Sequence, residues 1–389
     1  MKRLQVVDIV RALSILVVIA HHLGFFHIAT PSSNSFVNYL WDKLWFNGVF
    51  GVTVFFVVSG FVITRLIASQ PGGLFTPNYR DFYARRIGRI FPLLTLICLI
   101  GILMMTFFSS YSSAFVYVFK DPHTPHPPAF WLSIATFTFN WYEIFSTHGW
   151  YQISSNTQNQ NMTGLHWTGL HWGVLWSLSI EEQFYLFYPW VLKRLRNKRN
   201  LILFLSVLII SGPFMVGLFS DFFKGFHFFE NNSFTNFGFI AIGCLLYLVS
   251  VEYEEFFSKN KRICVYLCFS GSLLTGTLYC HSYVEADGWW YFLVPTSIAF
   301  GIFLFLLGGL HLNFFNSKYW YFLGWIGKLS YGGYLYHSFI LYLLCLFLVG
   351  KGGLVGFFIL AGATFTVSEL SYRFFEVPSN LFIRKLFNR

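Results

Sequence analysis

The sequence predicts an all-α, polytopic membrane protein. It would have about ten transmembrane helices, both termini cytoplasmic, and one long outer loop holding a re-entrant or interfacial segment. Three observations predict it. Only 11% of the 389 residues are Asp, Glu, Lys or Arg, against about 25% in soluble globular chains. Apolar residues make up 56% and aromatic residues 22%, with Phe alone occurring 51 times. The few basic residues cluster between long apolar stretches. So little charge cannot coat a soluble surface of this size, and so many aromatics exclude a disordered chain. A soluble two-domain enzyme is excluded on the first ground. The net charge of +10 reads as a topology signal rather than a nucleic-acid footprint, because the Lys and Arg flank apolar segments.

A spanning helix needs about 20 largely apolar residues. Stretches near 7–27, 46–66, 90–108, 129–147, 174–192, 201–220, 235–251, 263–282, 290–310, 331–350 and 353–373 qualify. Basic clusters then set the sides. Lys2 and Arg3 place the N-terminus inside, and no small-residue cleavage site follows, so the first stretch reads as a retained span. Arg65, Arg80, Arg85, Arg86 and Arg89 mark a second inside segment, and Lys193 to Arg199 a third. Lys259, Lys261 and Arg262 mark a fourth, and Arg384, Lys385 and Arg389 a fifth. Between residues 108 and 193 only one crossing fits, 174–192. The stretch 129–147, with Asn140, Trp141, Tyr142 and Glu143, therefore belongs to the outer loop 109–173. The chain reads as a single transmembrane domain, 1–389, with no appended soluble domain.

The first predicted helix carries the first chemical signal: Asp8, Arg11, His21 and His22. Ionisable groups within a span mark function by default. Arg11 and His22 are close to three turns apart, so they share a face and lie roughly 16 Å apart along the axis. Asp8 sits one turn from Arg11, at ion-pair spacing. The plainer reading is a helix oriented by charges at its cytoplasmic mouth, with histidines bonded to neighbouring helices. Six cysteines all lie in or beside apolar stretches without zinc-finger or disulfide spacing. The outer-loop histidines His123, His126, His148, His166 and His171 lack metal-ligand spacing, so no metal is expected.

Further blocks accompany this one. They are Gly51-Val-Thr-Val-Phe-Phe-Val-Val-Ser59-Gly60, Phe82-Tyr-Ala-Arg-Arg86-Ile-Gly-Arg89 and Trp176-Ser177-Leu-Ser-Ile-Glu181-Glu182-Gln-Phe-Tyr185. Leu329-Ser-Tyr331 through Tyr336-His337 and Leu370-Ser-Tyr-Arg373 through Glu376-Val-Pro378 close the set. Together with Arg11 and His22 they resemble, in order, the acyltransferase-3 family of integral membrane acyltransferases. That family transfers acyl groups, most often acetyl, to hydroxyls of carbohydrates and other acceptors. Two departures stand out: Val174 occupies a place where the family often has His, and Phe339 a place where it often has Pro. His171 or His166, in the tandem Thr-Gly-Leu-His-Trp copies, could substitute for the first.

The resemblance implies an O-acetyltransferase of a multi-pass bacterial inner-membrane kind. Its donor substrate would be cytoplasmic acyl-CoA, the acetyl ester in family terms, and no cofactor would stay bound. Its acceptor would be a carbohydrate or glycolipid, such as an O-antigen, another surface polysaccharide or a lipid-linked precursor. His22 maps onto the family's catalytic histidine. Acyl transfer needs a base, a grip on the donor and a stabilised oxyanion. His22 suits the base, since imidazole titrates near neutral pH. Asp8 is too distant along the helix to orient it, which leaves Glu181 or Glu182. Arg86 and Arg89, one turn apart, suit the phosphates of coenzyme A, with Arg11 extending the cationic path. Ser59 joins the donor set, with tight packing at Ser59-Gly60 as the competing reading. Trp176, Ser177, Tyr185, His171 and His337 are candidates for the acceptor pocket. A transporter or flippase, and an enzyme acting on a small secondary metabolite, are the alternative readings. Oligomeric state is not legible.

Overall fold

The computed structural model describes residues 3–25, 43, 47–108, 128–145, 170–219, 231–280, 290–348 and 354–387. All regular structure among them is helical. The long helices are α1 (Gln5–Phe25), α2 (Phe50–Ala68), α3 (Tyr79–Phe108), α4 (Leu175–Leu195), α5 (Lys198–Phe219), α6 (Ser233–Glu252), α7 (Lys261–Tyr279), α8 (Trp290–Gly309), α9 (Tyr321–Leu348) and α10 (Leu354–Ser371). A π-turn, Tyr372–Glu376, continues α10 into α11 (Val377–Phe387). Pro378 has no N–H to return to the carbonyl four residues back, which favours the wider turn there. Among the described residues, six segments are long and apolar enough to cross a bilayer: 5–24, 50–68, 79–103, 198–215, 233–252 and 354–387.

The bundle is built from the inside out. α1 packs on α9 and α2, α2 on α6, α6 on α5, α7 on α8, and α11 on α3. α1 and α2 form the interior, with Ala12, Ile15, Ile19, Val57, Ile63 and Ile67 fully buried. α5 is peripheral and turns Leu203, Val207, Ile210, Phe214 and Leu218 outward. Such faces are at home in lipid, where association rests on close packing rather than on exclusion of water.

α2 and α6 approach each other through small residues. A Cβ on Gly60 would collide with the Ile240 carbonyl, and one on Gly243 with the Val57 carbonyl. The contact is reciprocal, so the packing reading of Gly60 holds. Ser59, one residue earlier, faces elsewhere.

The stretch 129–147 does not form a spanning helix. The helix Pro128–Ala135 stops, Phe137 adopts a left-handed backbone with φ 54°, and a second helical piece runs over 139–145. An aromatic residue in that region is uncommon and is sustained only by its surroundings. Here the Gln183 amide donates to the Phe137 carbonyl at 2.6 Å and to Asn140 Oδ1 at 2.9 Å. Asn140 in turn donates to the Asn231 carbonyl and to Ser233, and Ser233 donates back to Gln183. Broken backbone at membrane depth must be satisfied by protein in this way.

Overpacking at a close helix contact costs about 1–3 kcal/mol. Gly60→Ala and Gly243→Ala are therefore expected to lower the thermal midpoint of detergent-purified protein. Gly362→Ala, where a Cβ meets nothing within 4 Å, should leave it unchanged.

Candidate active site

Five helices enclose a cavity of about 80 Å³. α1 contributes Arg11, and α2 contributes a stripe from Val52 through Phe55, Phe56 and Ser59 to Val62. α3 adds Arg86, Arg89 and Ile90, and α9 adds Ser330, Tyr331, Tyr334 and Leu335. α4 supplies Ser177, Leu178, Glu181 and Tyr185. Ser177, Glu181 and Tyr185 recur at four-residue steps, which puts them on one helix face. Glu182 is turned about 100° from Glu181 and is not among the lining residues. Its Oε1 is buried without a hydrogen-bond partner among the described residues.

Arg86 is the centre of this cavity's polar wall. It is only 7% exposed, and its guanidinium carbon lies 4.3 Å from the centroid of the Tyr185 ring. The Tyr185 hydroxyl donates to Glu181 at 3.3 Å and is hydrogen-bonded to Ser59. Arg86 and Arg89 both act electrostatically on Glu181, and Arg89 sits 5.7 Å from the Tyr331 ring centroid. Arg86 Nε and Ser330 Oγ are buried without hydrogen-bond partners among the described residues. The cavity therefore offers polar atoms that the protein itself leaves unmatched, beside a carboxylate and two guanidinium groups.

A second chamber of about 340 Å³ adjoins the first, and Arg11, Val62, Arg89 and Tyr331 line both. Its remaining wall includes Arg3, Asp8, Arg65, Lys328, Tyr372, Glu376 and Asn380. Cations outnumber carboxylates there. The π-turn places Tyr372 and Glu376 on this wall. Asp8 lies here and not in the inner cavity. Its carboxylate is gripped by Arg3, whose Nε and Nη2 donate at 2.8 and 2.7 Å. The ion pair expected from helical spacing, Asp8 with Arg11, is thus replaced. Arg3 precedes the helix and reaches the carboxylate with both arms of its fork, while Arg11 points along the chamber wall.

At the far side of the cavity Tyr334 forms the boundary. Its hydroxyl is 2.7 Å from Ser177 Oγ, and Phe55 meets its ring edge-on at 6.0 Å. Beyond it, 5.7 Å from the Tyr334 ring, is the ring of His337. His337 in turn faces His22, with ring centroids 4.8 Å apart and His337 Nε2 3.3 Å from His22 Nδ1. His22 Nδ1 also lies 2.9 Å from the Val18 carbonyl. No carboxylate is hydrogen-bonded to His22 among the described residues. The orienting role expected of Glu181 or Glu182 has no contact behind it, because both lie at the level of Arg86, more than a helical turn from His337 along the wall.

The structure thus brings Arg11, Ser59, Arg86, Arg89, Ser177, Glu181 and Tyr185 together, and pairs His22 with His337. It leaves Trp176 outside the cavity lining, packed edge-on against Phe56 at 6.1 Å. His166 and the side chain of His171 lie outside the described residues. Tyr331, Tyr334, Lys328 and Glu376 were missed as individual residues, although each stands in or beside a quoted block. Lys328, Tyr331 and Tyr334 recur at three-residue steps on α9 that continue to His337, and that period was the available signal; Glu376 lies on the π-turn, outside it.

A family model described as an acyltransferase domain matches residues 4–373. The chain is 28% identical over 353 residues to the O-acetyltransferase OatA of Staphylococcus aureus, covering 86% of this chain and 53% of that protein. It is 26% identical over 396 residues to the peptidoglycan O-acetyltransferase OatA of Listeria monocytogenes, covering 96% of this chain and 55% of that one. The chain spans about half the length of these curated relatives. No solved structure matches it. With a match running from the start of α1 to the end of α10 and into the π-turn, the chain belongs to the acyltransferase-3 family.

Proposed function

We propose that this protein is a membrane O-acyltransferase. It moves an acetyl group from cytoplasmic acetyl-CoA to a hydroxyl of a cell-surface carbohydrate or its lipid-linked precursor. One observation carries the reading. Two adjoining cationic chambers share Arg11 and Arg89, and they end one side chain, Tyr334, short of the pair formed by half-buried His22 and fully buried His337. Diphosphate and 3′-phosphate groups suit the cations of the wider chamber, since guanidinium forks bind phosphate oxygens in pairs. The inner cavity is too small for a nucleotide and suits the slender thioester arm. That division orients the donor from the Arg3 end of α1 toward the His22 end.

In the proposed reaction His22 Nε2 takes the proton of the acceptor hydroxyl. The oxygen attacks the thioester carbonyl, the carbon–sulfur bond breaks, and the thiolate leaves with the proton held on His22. The Tyr334 hydroxyl is the proposed donor to the oxyanion, held by Ser177. Glu181 and Tyr185 hold Arg86 in place. Glu182 and Asp8 serve charge balance rather than proton transfer. The names of the relatives support a cell-wall glycan of the peptidoglycan kind over an O-antigen. All ten long helices span the cell membrane in this reading, with the two ends of the chain on the cytoplasmic side. The basic residues at the Arg3 end of the cationic chamber support that orientation.

His22→Ala is expected to reduce acetyl transfer by about 100-fold or more, the range a general base supplies, with unchanged protein in the membrane. O-acetyl release from isolated surface glycan, with and without the variant, measures this. Near-normal acetylation would remove His22 from the base role. Arg86→Ala and Arg89→Ala should raise KM for acetyl-CoA about tenfold, the loss of one charge-assisted hydrogen bond. Kinetics at varied acetyl-CoA tests it, and an unchanged KM takes both residues out of the donor site. Pro125→Cys should react with an impermeant maleimide applied outside intact cells. Labelling only after permeabilisation would invert the topology.

A further inference from the structure

Both ring nitrogens of His22 and His337 can be assigned from their neighbours. His337 is fully buried, and its Nδ1 faces the carbonyls of Tyr334 at 2.7 Å and Gly333 at 3.2 Å. Carbonyl oxygens only accept, so Nδ1 carries the proton and Nε2 of the neutral ring is left as an acceptor. His22 Nδ1 faces the Val18 carbonyl at 2.9 Å and must likewise carry a proton. Its second neighbour is the acceptor Nε2 of His337 at 3.3 Å. The His22 N–H is therefore shared between a carbonyl on its own helix and an imidazole on α9. His22 Nε2 is left with its lone pair.

We propose that His337 is the positioning residue for His22, taking the place that a carboxylate holds beside other catalytic histidines. The proposal rests on the acyltransferase reading above. The Val18 carbonyl already accepts the backbone N–H four residues on in the helix ladder. It sets the tautomer but binds the ring only to α1. The His337 acceptor ties the same ring to α9, the helix whose Tyr334 lines the cavity and whose Tyr334 carbonyl holds His337 in turn. One helix thereby aligns the base with the cavity wall. When His22 takes a proton on Nε2, its Nδ1–H becomes a stronger donor, and the neutral His337 Nε2 receives it. A neutral acceptor does this without adding a further carboxylate to a membrane interior that already holds Glu181 and Glu182. Assigning His337 to acceptor binding is displaced by this geometry, since both of its ring nitrogens already have partners.

The test uses full-length protein in proteoliposomes with acetyl-CoA and isolated cell-wall glycan. His337→Leu fills the ring volume without an acceptor, and His337→Gln restores an acceptor near the same position. His22→Ala is run in parallel. The expected result is a kcat about 100-fold lower in His337→Leu, with KM for both substrates within twofold of wild type, and recovery to within about tenfold in His337→Gln. Should His337→Leu fail to elute as a single species, His337→Phe replaces it under the same criteria. An unchanged kcat in the acceptor-less variant overturns the proposal, as does a raised KM at constant kcat, or equal loss in the Gln variant. If His22→Ala itself retains activity, the base reading fails. If His22→Ala is inactive while His337→Leu is not, only the positioning role fails.

Discussion

A guanidinium held almost out of reach of solvent among apolar helices is the constraint around which this bundle is arranged. Burying an unpaired charge is prohibitively costly, so the surroundings must supply compensation. For Arg86 they supply the face of the Tyr185 ring, with Glu181 lining the same cavity. Those two residues lie on α4 at a four-residue step, so α4 must present one face to α3 along its whole cavity-lining length. The Tyr185 hydroxyl then needs partners of its own and finds them in Glu181 and Ser59. That fixes the rotation of α2, which in turn presents Gly60 to Gly243 of α6. Contacts around one buried cation thus link α2, α3 and α4, and the next residue of α2 meets α6.

The remainder of the molecule keeps that polar interior sealed. Apolar side chains that would be buried in a soluble protein are turned outward on α5, α7, α8 and α10, as with Phe214, Phe269, Phe300 and Phe358. Inside, aromatic rings fill the irregular space left where helices diverge: Phe184, Phe187 and Phe237 form one cluster, and Phe130, Trp131 and Trp172 another. The described Phe residues are thereby divided between lipid-facing surface and interior wedges. Phe serves both without a polar atom that would need a partner. The broken segment around Phe137 is the exception in backbone, and Gln183 supplies the hydrogen bonds that a continuous helix would have made. In the Glu181-Glu182-Gln183 triplet, consecutive residues therefore face different tasks.

Much of this was legible in the sequence because it depends on local spacing. The long helices among the described residues fall on the predicted apolar runs, although α3 starts at Tyr79 and α9 at Tyr321, well before the stretches 90–108 and 331–350, and the break in 129–147 follows from the charge arithmetic. The Arg86–Arg89 pair and the Arg11–His22 face follow from helical period. Period also contained the choice between Glu181 and Glu182, since only Glu181 shares a four-residue rhythm with Ser177 and Tyr185. What spacing could not convey is contact between distant segments. Arg3 takes Asp8 from Arg11 because its reach and direction at the helix start are settled by packing, whereas the helical rule counts only residues already in the helix. Trp176 belongs to a recognisable block yet faces Phe56, because adjacent residues on a helix diverge by about 100°. The meeting of His22 with His337, 315 residues apart, leaves no trace in periodicity at all.

The separation between the cation cluster and the histidine pair is itself a consequence of secondary structure. Arg11 and His22 stand on one uninterrupted helix, so their axial distance of roughly 16 Å is set by the rise per residue and cannot drift as side chains repack. α9 repeats the arrangement in parallel: Tyr331 stands at the level of Arg89, Tyr334 at the level of Ser177, and His337 at the level of His22. Two rigid elements thus carry the same sequence of levels and are packed directly against each other. An extended donor anchored by its phosphates at one end would have its reactive end placed by that ruler, without any need for a loop to close over it. Orientation of this kind is the part of catalysis that a preformed scaffold supplies before any proton moves. It also explains why the polar groups lie in tiers along the bundle rather than gathered at one point.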